Sequence, residues 1–122
     1  MKKKYRILCF DIDGVICKTI DSKYKTSKPI KKNIEVINSL YLKGYYIKLF
    51  TARYMGRTKD NKNLAEKKAK NLTISQLREW NVKYNKIYFG KISYDLIIDD
   101  KSIFHSNKWA QKINKYLKKN VV

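Results

Sequence analysis

Tyr5-Arg6-Ile7-Leu8-Cys9-Phe10-Asp11-Ile12-Asp13-Gly14 is the stretch on which the reading of this chain turns. Tyr5–Phe10 is a short apolar run without a turn residue, the pattern of a strand buried on both faces. It stops at Asp11, and Gly14 marks the turn that follows. Lys18 to Lys28 is polar and aperiodic and reads as a loop. Pro29 suits the first turn of a helix, with Ser27 or Lys28 near its cap. Ile30, Ile34, Ile37, Leu40 and Tyr41 then recur every three or four residues, one face of a helix that stops at Gly44. Tyr45–Phe50 is a second strand ending at Thr51-Ala52-Arg53, followed by a polar loop from Tyr54 to Asn63. Leu64 to Trp80 reads as helix, with a break expected near Asn71, where Thr73 could cap a second segment. Lys86–Phe89 is a third strand, and Tyr94–Ile98 a fourth that ends at Asp99-Asp100. Asn107 to Lys119 closes the chain as a helix with Trp109, Ile113, Tyr116 and Leu117 on one face.

Strands alternating with helices over short connections imply an α/β fold. We expect a single Rossmann-like domain over residues 1–122, with a mainly parallel sheet and helices on both faces. Ligands in such sheets bind outside the carboxyl ends of the strands. Three separate segments deliver polar side chains there: Asp11 and Asp13, then Thr51, then Asp99 and Asp100. The chain has only seven Asp, four of them in these two pairs.

Four carboxylates at one edge repel one another unless a cation neutralises them, and hard oxygen ligands suit Mg²⁺. Zinc is disfavoured: Cys9 and Cys17 lie in or near the first strand, and His105 has no partner at ligand spacing. A carboxylate beside Mg²⁺ can attack a phosphoryl group, and a second one two residues on can protonate the leaving oxygen and then activate water. A lysine should help to stabilise the transferring charge. With 25 Lys in the chain, chemistry alone does not select one.

The composition bounds the alternatives. At 122 residues, 43 % hydrophobic and 32 % charged, the chain can bury one core and leaves little room for a second domain. Two cysteines build no disulfide framework, and no apolar run approaches the roughly 18–20 residues of a membrane span. The Met1-Lys2-Lys3-Lys4 start is followed by too short an apolar stretch for a secretory signal, so a cytoplasmic location is expected. The net charge of +19 comes from 29 basic residues, of which only Arg6, Arg53, Arg57 and Arg78 are Arg. A Lys/Asn/Ile bias of this kind follows from AT-rich coding. The charge favours solubility and steering of anionic substrates, and the chain contains no recognisable nucleic-acid-reading module.

Phe10-Asp11-Ile12-Asp13-Gly14-Val15 resembles the DxDG signature of the haloacid dehalogenase-like phosphatases. Phe50-Thr51-Ala52-Arg53 resembles their second motif, Ile98-Asp99-Asp100 their acidic fourth motif, and Lys91 stands where the third-motif lysine is expected. The order TAR, polar loop, then GKxxYDxxIDDK is similar to small bacterial members found with capsule and surface-polysaccharide genes; the likeness spans residues 5–104. The resemblance implies Asp11 as nucleophile and Asp13 as general acid and base. It implies Thr51, Ala52 and Lys91 as phosphate-binding residues. It places Mg²⁺ on the Asp11 carboxylate, the Asp13 carbonyl and the fourth-motif acid, Asp100 ahead of Asp99. Arg53 and Arg57 would be substrate-side cations. One departure is Ile92, where close relatives often carry Pro. Neither Val15–Pro29 nor Arg53–Lys91 can hold a cap domain, and capless members often close their sites with neighbouring subunits, so a homo-oligomer is expected. The implied activity is Mg²⁺-dependent hydrolysis of a small phosphate monoester, a phosphorylated sugar or polysaccharide precursor. The alternatives are a macromolecular substrate such as a nucleic-acid 3′ phosphate, or a non-catalytic binding protein on the same scaffold.

Overall fold

The computed structural model describes residues 6–119. Its centre is a three-stranded parallel sheet in the order β1 (Ile7–Asp11), β4 (Tyr46–Thr51), β5 (Lys86–Phe89). The register sets Asp11 beside Phe50 and Thr51 beside Phe89, so the ends of all three strands lie at one edge. Two short segments, β2 (Cys17–Lys18) and β3 (Lys28–Pro29), pair antiparallel above β1. Three helices complete the domain: α1 (Lys31–Leu42), α2 (Lys62–Glu79) and α3 (Trp109–Lys119).

Alternation along each strand decides what is buried. Phe10, Ile47 and Leu49 point into the core, where Ile34, Ile37 and Leu40 of α1 and Trp109, Ile113 and Leu117 of α3 meet them, and Phe89 is buried as well. Each such side chain contributes roughly 1.5–3 kcal/mol relative to exposure. The Phe10 and Trp109 rings lie 5.6 Å apart. The opposite row, Ile7, Cys9, Tyr46, Lys48 and Lys86, is exposed or half-buried. The helices therefore cover one face of the sheet, where the strand–helix alternation suggested both.

Several boundaries differ from the sequence reading, each for a physical reason. Both long parallel strands run one residue further, to Asp11 and Thr51, because these still pair across the sheet; Tyr5 lies outside the described residues. Pro29 does not open α1. It pairs with Cys17 in β3, and the helix starts two residues on, after Ile30 donates its N–H to the Ile16 carbonyl at 2.8 Å. The expected break in α2 does not occur. Asn61 caps the helix through its side chain, accepting from Leu64 N at 3.0 Å, and Thr73 lies buried in mid-helix. In α3, Tyr116 is exposed while Trp109, Ile113 and Leu117 are buried.

The largest departure is Tyr94–Ile98, which joins no strand. Just upstream, Lys91 donates its N–H to the Thr51 carbonyl at 3.1 Å, and Ser93 donates both N–H and O–H to Asp60. These bonds hold the chain at the carboxyl edge of the sheet, and residues 92–105 are exposed. No described helix is long and apolar enough to cross a membrane.

Candidate active site

At the carboxyl end of β1 the chain turns sharply. Gly14, at φ +88°, takes a conformation that L side chains rarely adopt, and nothing lies within 4 Å of where a Cβ would stand. Backbone freedom, not space, is what this position needs. The Ile12 carbonyl accepts from Ile16 N (2.8 Å), and Gly14 N donates to the Cys17 carbonyl (2.7 Å). Asn33 of α1 donates to the Val15 carbonyl at 2.8 Å, and His105 Nε2 lies 2.9 Å from the Gly14 carbonyl oxygen. The turn is thus braced from both sides.

It presents two carboxylates in different settings. Asp11 Oδ1 accepts the N–H of Ile12 at 2.8 Å, while Oδ2 faces Lys91 Nζ at 3.0 Å. A third of the Asp11 side chain stays exposed. Burial acts to lower the Lys91 pKa, but a hydrogen bond with Tyr94 and the Asp11 charge outweigh it, holding the ammonium above the ordinary lysine value. Lys91 is therefore a permanent cation beside the exposed carboxylate.

Asp13 is held by Arg53. The guanidinium reaches it through Nε (3.0 Å to Oδ2) and Nη2 (3.0 Å to Oδ1), the two-pronged geometry that orients a carboxylate. Its remaining nitrogen, Nη1, donates to Gln76 Oε1 (2.6 Å) and Thr73 Oγ1 (3.2 Å) on α2. Thr19 donates its hydroxyl to Asp13 Oδ1 at 2.5 Å and lies 2.6 Å from Ser27 Oγ. The Cys17 thiol points at the same oxygen from 3.5 Å. Burial, reinforced by the Asp13 charge, pushes that thiol up, so it serves as a weak donor and not as a nucleophile.

A cleft of about 220 Å³ opens over this turn, lined by Asp11, Asp13, Thr19, Tyr24, Ala52 and Arg53 among others. Thr51 lies beneath it, fully buried, and accepts the Arg53 N–H at 3.0 Å. Tyr24 forms one wall. Its ring lies 5.0 Å from that of Tyr54, and the guanidinium carbons of Arg53 and Arg57 stand 5.0 and 5.3 Å from it. Arg57 also stacks on Tyr54 at 4.9 Å and donates to the Ser22 carbonyl at 2.5 Å, tying the loop after β4 to the loop after β2. Tyr54 adopts φ +64°, a costly conformation for an aromatic residue that this stack helps to hold.

The expected site residues thus divide. Asp11, Asp13, Ala52, Arg53 and Lys91 come together, with Thr51 directly below. Arg53, expected on the substrate side, instead has its guanidinium engaged by Asp13, Thr73 and Gln76. Arg57 is exposed at the rim. Asp99 and Asp100 do not join the cluster; both are exposed beyond Tyr94–Ile98, and Asp99 Oδ1 accepts from Lys101 N at 2.9 Å. Among the described residues no three His, Cys, Asp or Glu side chains converge as a metal site. Among the described residues, Asp11 and Asp13 therefore stand apart from both expected fourth-motif ligands. Thr19, Tyr24, Thr73 and Gln76 were not anticipated. Thr73 and Gln76, polar at i and i+3 on the face of α2 that also buries Ala65 and Ala69, are the sequence signal that a buried ion lies opposite.

The whole chain has the fold of a protein of known structure. A crystal structure of a structural-genomics target from Vibrio cholerae superposes with a TM-score of 0.79 at 24 % identity, covering 98 % of both chains. At that identity the likeness establishes the α/β fold with its parallel sheet. No protein-family model and no curated protein matches the chain.

Proposed function

We propose that this protein is a phosphatase of the haloacid dehalogenase-like kind, hydrolysing a phosphate monoester through an aspartyl-phosphate on Asp11. One observation carries the reading. Two carboxylates two residues apart lie at the carboxyl edge of a parallel sheet, one exposed beside a lysine and the other clamped by a buried arginine. The first suits a nucleophile, the second a proton carrier whose direction is fixed.

In the first half-reaction Asp11 attacks phosphorus while the bond to the leaving oxygen breaks. Asp13 gives that oxygen a proton. In the second, Asp13 takes a proton from water, the water oxygen attacks the aspartyl-phosphate, and phosphate departs with Asp11 restored. The Ile12 N–H fixes Oδ1 of Asp11, and Oδ2 faces Lys91. Lys91 offsets the negative charge that builds as the phosphoryl group approaches. Arg53 and Thr19 keep the Asp13 carboxylate turned toward the cleft, which is proximity and orientation without direct contact with substrate. The cleft is small and open, and its Tyr24 wall sets an aromatic ring beside the Arg53 and Arg57 cations. A small, cation-rimmed cleft supports a small phosphate monoester such as a phosphorylated sugar or polysaccharide precursor. Mg²⁺ would add charge stabilisation, and the Asp11 carboxylate, part-exposed and paired with Lys91, would be the group among the described residues to hold it.

A panel of alkyl, sugar and aryl phosphates tests the reading, with phosphate release measured for the parent and for Asp11→Asn. Release by the parent and none by the variant is expected. Equal release by both overturns the assignment.

A further inference from the structure

The face of the sheet that no described helix covers is basic and aromatic, and we propose that it binds single-stranded nucleic acid. Phe50 and Tyr88 form a stacking platform for the bases, and Lys48, Lys62 and Lys86 meet the phosphates. The surface shares no lining residue with the cleft over the β1 turn. The proposal therefore stands whether or not Asp11 is a nucleophile.

Register decides which side chains share this face, because successive residues of a strand point to opposite sides. Lys48 is level with Cys9 and Lys86, and Phe50 with Asp11 and Tyr88. The outward rows thus read Ile7, Cys9 and Asp11 on β1, Tyr46, Lys48 and Phe50 on β4, and Lys86 and Tyr88 on β5. Phe50 and Tyr88 stand side by side on strands about 4.8 Å apart, with the two lysines side by side one step behind them. Lys48 Nζ lies 5.5 Å and Lys86 Nζ 5.2 Å from the centre of the Tyr88 ring. A groove of about 340 Å³ runs along these residues, lined by Cys9, Lys48, Phe50, Lys62, Tyr88 and Gly90 among others. Lys62 enters it from the start of α2. Its stem crosses Gly90, where an added Cβ would stand 2.5 Å from Lys62 Cγ, so a third cation is laid against the end of β5.

Charge selects a polyanion as the partner. The outward rows hold one acid, Asp11, and Lys91 pairs with it at 3.0 Å. The net charge of +19 adds attraction at longer range. The two rings then choose among polyanions. Aromatic faces take bases of any sequence by stacking while a basic groove follows the backbone, which is how single strands are held. The lysines at Tyr88 make weak cation–π contacts on flexible stems, so they can swing to phosphate oxygens and free the ring for a base. A duplex hides its base faces, and a bilayer is flat where this groove is concave; neither partner would use both the rings and the lysines. No recognisable reading module is present, so little sequence preference is expected.

The test is fluorescence anisotropy of a labelled oligothymidylate of about twelve nucleotides with the full-length protein. A duplex of equal length and phosphatidylserine vesicles serve as comparison ligands. The parent should bind the single strand more tightly than the duplex, and more weakly as salt rises. Phe50→Leu/Tyr88→Leu, which keeps apolar bulk but removes both rings, should weaken binding roughly tenfold or more with little change in salt dependence. Lys48→Gln/Lys86→Gln should lower the slope of log affinity against log salt by about 1.4. Lys112→Gln/Lys115→Gln makes the same charge change at exposed positions of α3, across the sheet, and should stay within about twofold of the parent. Each variant is checked for native circular dichroism. Should the ring variant not fold, photocrosslinking of the parent to a 5-bromouracil strand decides, with attachment expected within residues 46–50 or 86–90. No binding by the parent overturns the proposal, as does a duplex bound as tightly as the single strand. So does unchanged affinity in the folded ring variant, an equal loss in the α3 pair, or cross-links confined to other segments. Binding to vesicles alone also overturns it and assigns the face to a lipid surface.

Discussion

Arg53 and Asp13 form a two-pronged ion pair with 3.0 Å contacts to each carboxylate oxygen, and the arginine side chain is wholly buried. Forty residues separate them in sequence, and the pair joins the turn after β1 to α2 through Thr73 and Gln76. A buried cation with three polar partners is costly to remove, because everything facing it is left unpaired. Arg53→Ala should therefore destabilise the fold by about 3 kcal/mol, measured by urea unfolding. Arg53→Lys should recover part of that loss but little activity, since an ammonium cannot grip both oxygens. Full activity in Arg53→Lys would show that the orientation of Asp13 does not matter.

Asp13 should reveal itself through the leaving group. Asp13→Asn is expected to slow hydrolysis of an alkyl phosphate by roughly 10²–10⁴-fold, the usual worth of general acid–base catalysis. On an aryl phosphate the first half-reaction should suffer much less, because that leaving oxygen needs no proton. Burst and steady-state rates on the two ester types separate the cases, and an equal loss in both bursts would remove Asp13 from the proton-transfer role.

Lys91 has its pKa raised in the folded protein, so the sign of its pH effect is fixed. Its contribution to stability is complete below the lysine value of the unfolded chain, about 10.4, and fades as pH rises through the higher folded value. The difference in melting temperature between the parent and Lys91→Ala should stay constant from pH 6 to 9 and shrink only in strong alkali. Turnover should fall far more in Lys91→Ala than in a change at Lys2, Lys3 or Lys4. A difference that closes near neutral pH would mean the ammonium is not held as described.

Gly14 provides a test free of steric confusion. An added methyl meets no atom, so Gly14→Ala carries only the cost of a positive φ, about 1–2 kcal/mol. Chemical denaturation should show that loss; a variant as stable as the parent would indicate that the turn relaxes to another conformation.

The parallel sheet, and the gathering of Asp11, Asp13 and Thr51 at its carboxyl edge, were legible because their signals are local. A short apolar run that stops at Asp11, a second that stops at Thr51 and the periodicity of Ile34, Ile37 and Leu40 each report one element directly. What was not legible is long-range. Nothing near Arg53 says that its partner is Asp13 and not a substrate, and only the inward polar pair on α2 hints at it. Tyr94–Ile98 has the composition of a strand, but composition cannot say whether an edge is within reach. Here Ser93 is bonded to Asp60, thirty-three residues away, and the segment after it lies exposed. The open face of the sheet has the same origin: alternation predicts which side chains share a face, not whether a helix arrives to cover it.

The central claim is that Asp11 becomes phosphorylated during turnover. Rapid acid quenching of the enzyme with a labelled phosphate ester, followed by peptide mapping, should place the label on Asp11 in the parent, and more of it in Asp13→Asn, where hydrolysis of the intermediate is slowed. Asp11→Asn should carry none. Hydrolysis by the parent with no trapped label in Asp13→Asn, or label persisting in Asp11→Asn, would contradict the account.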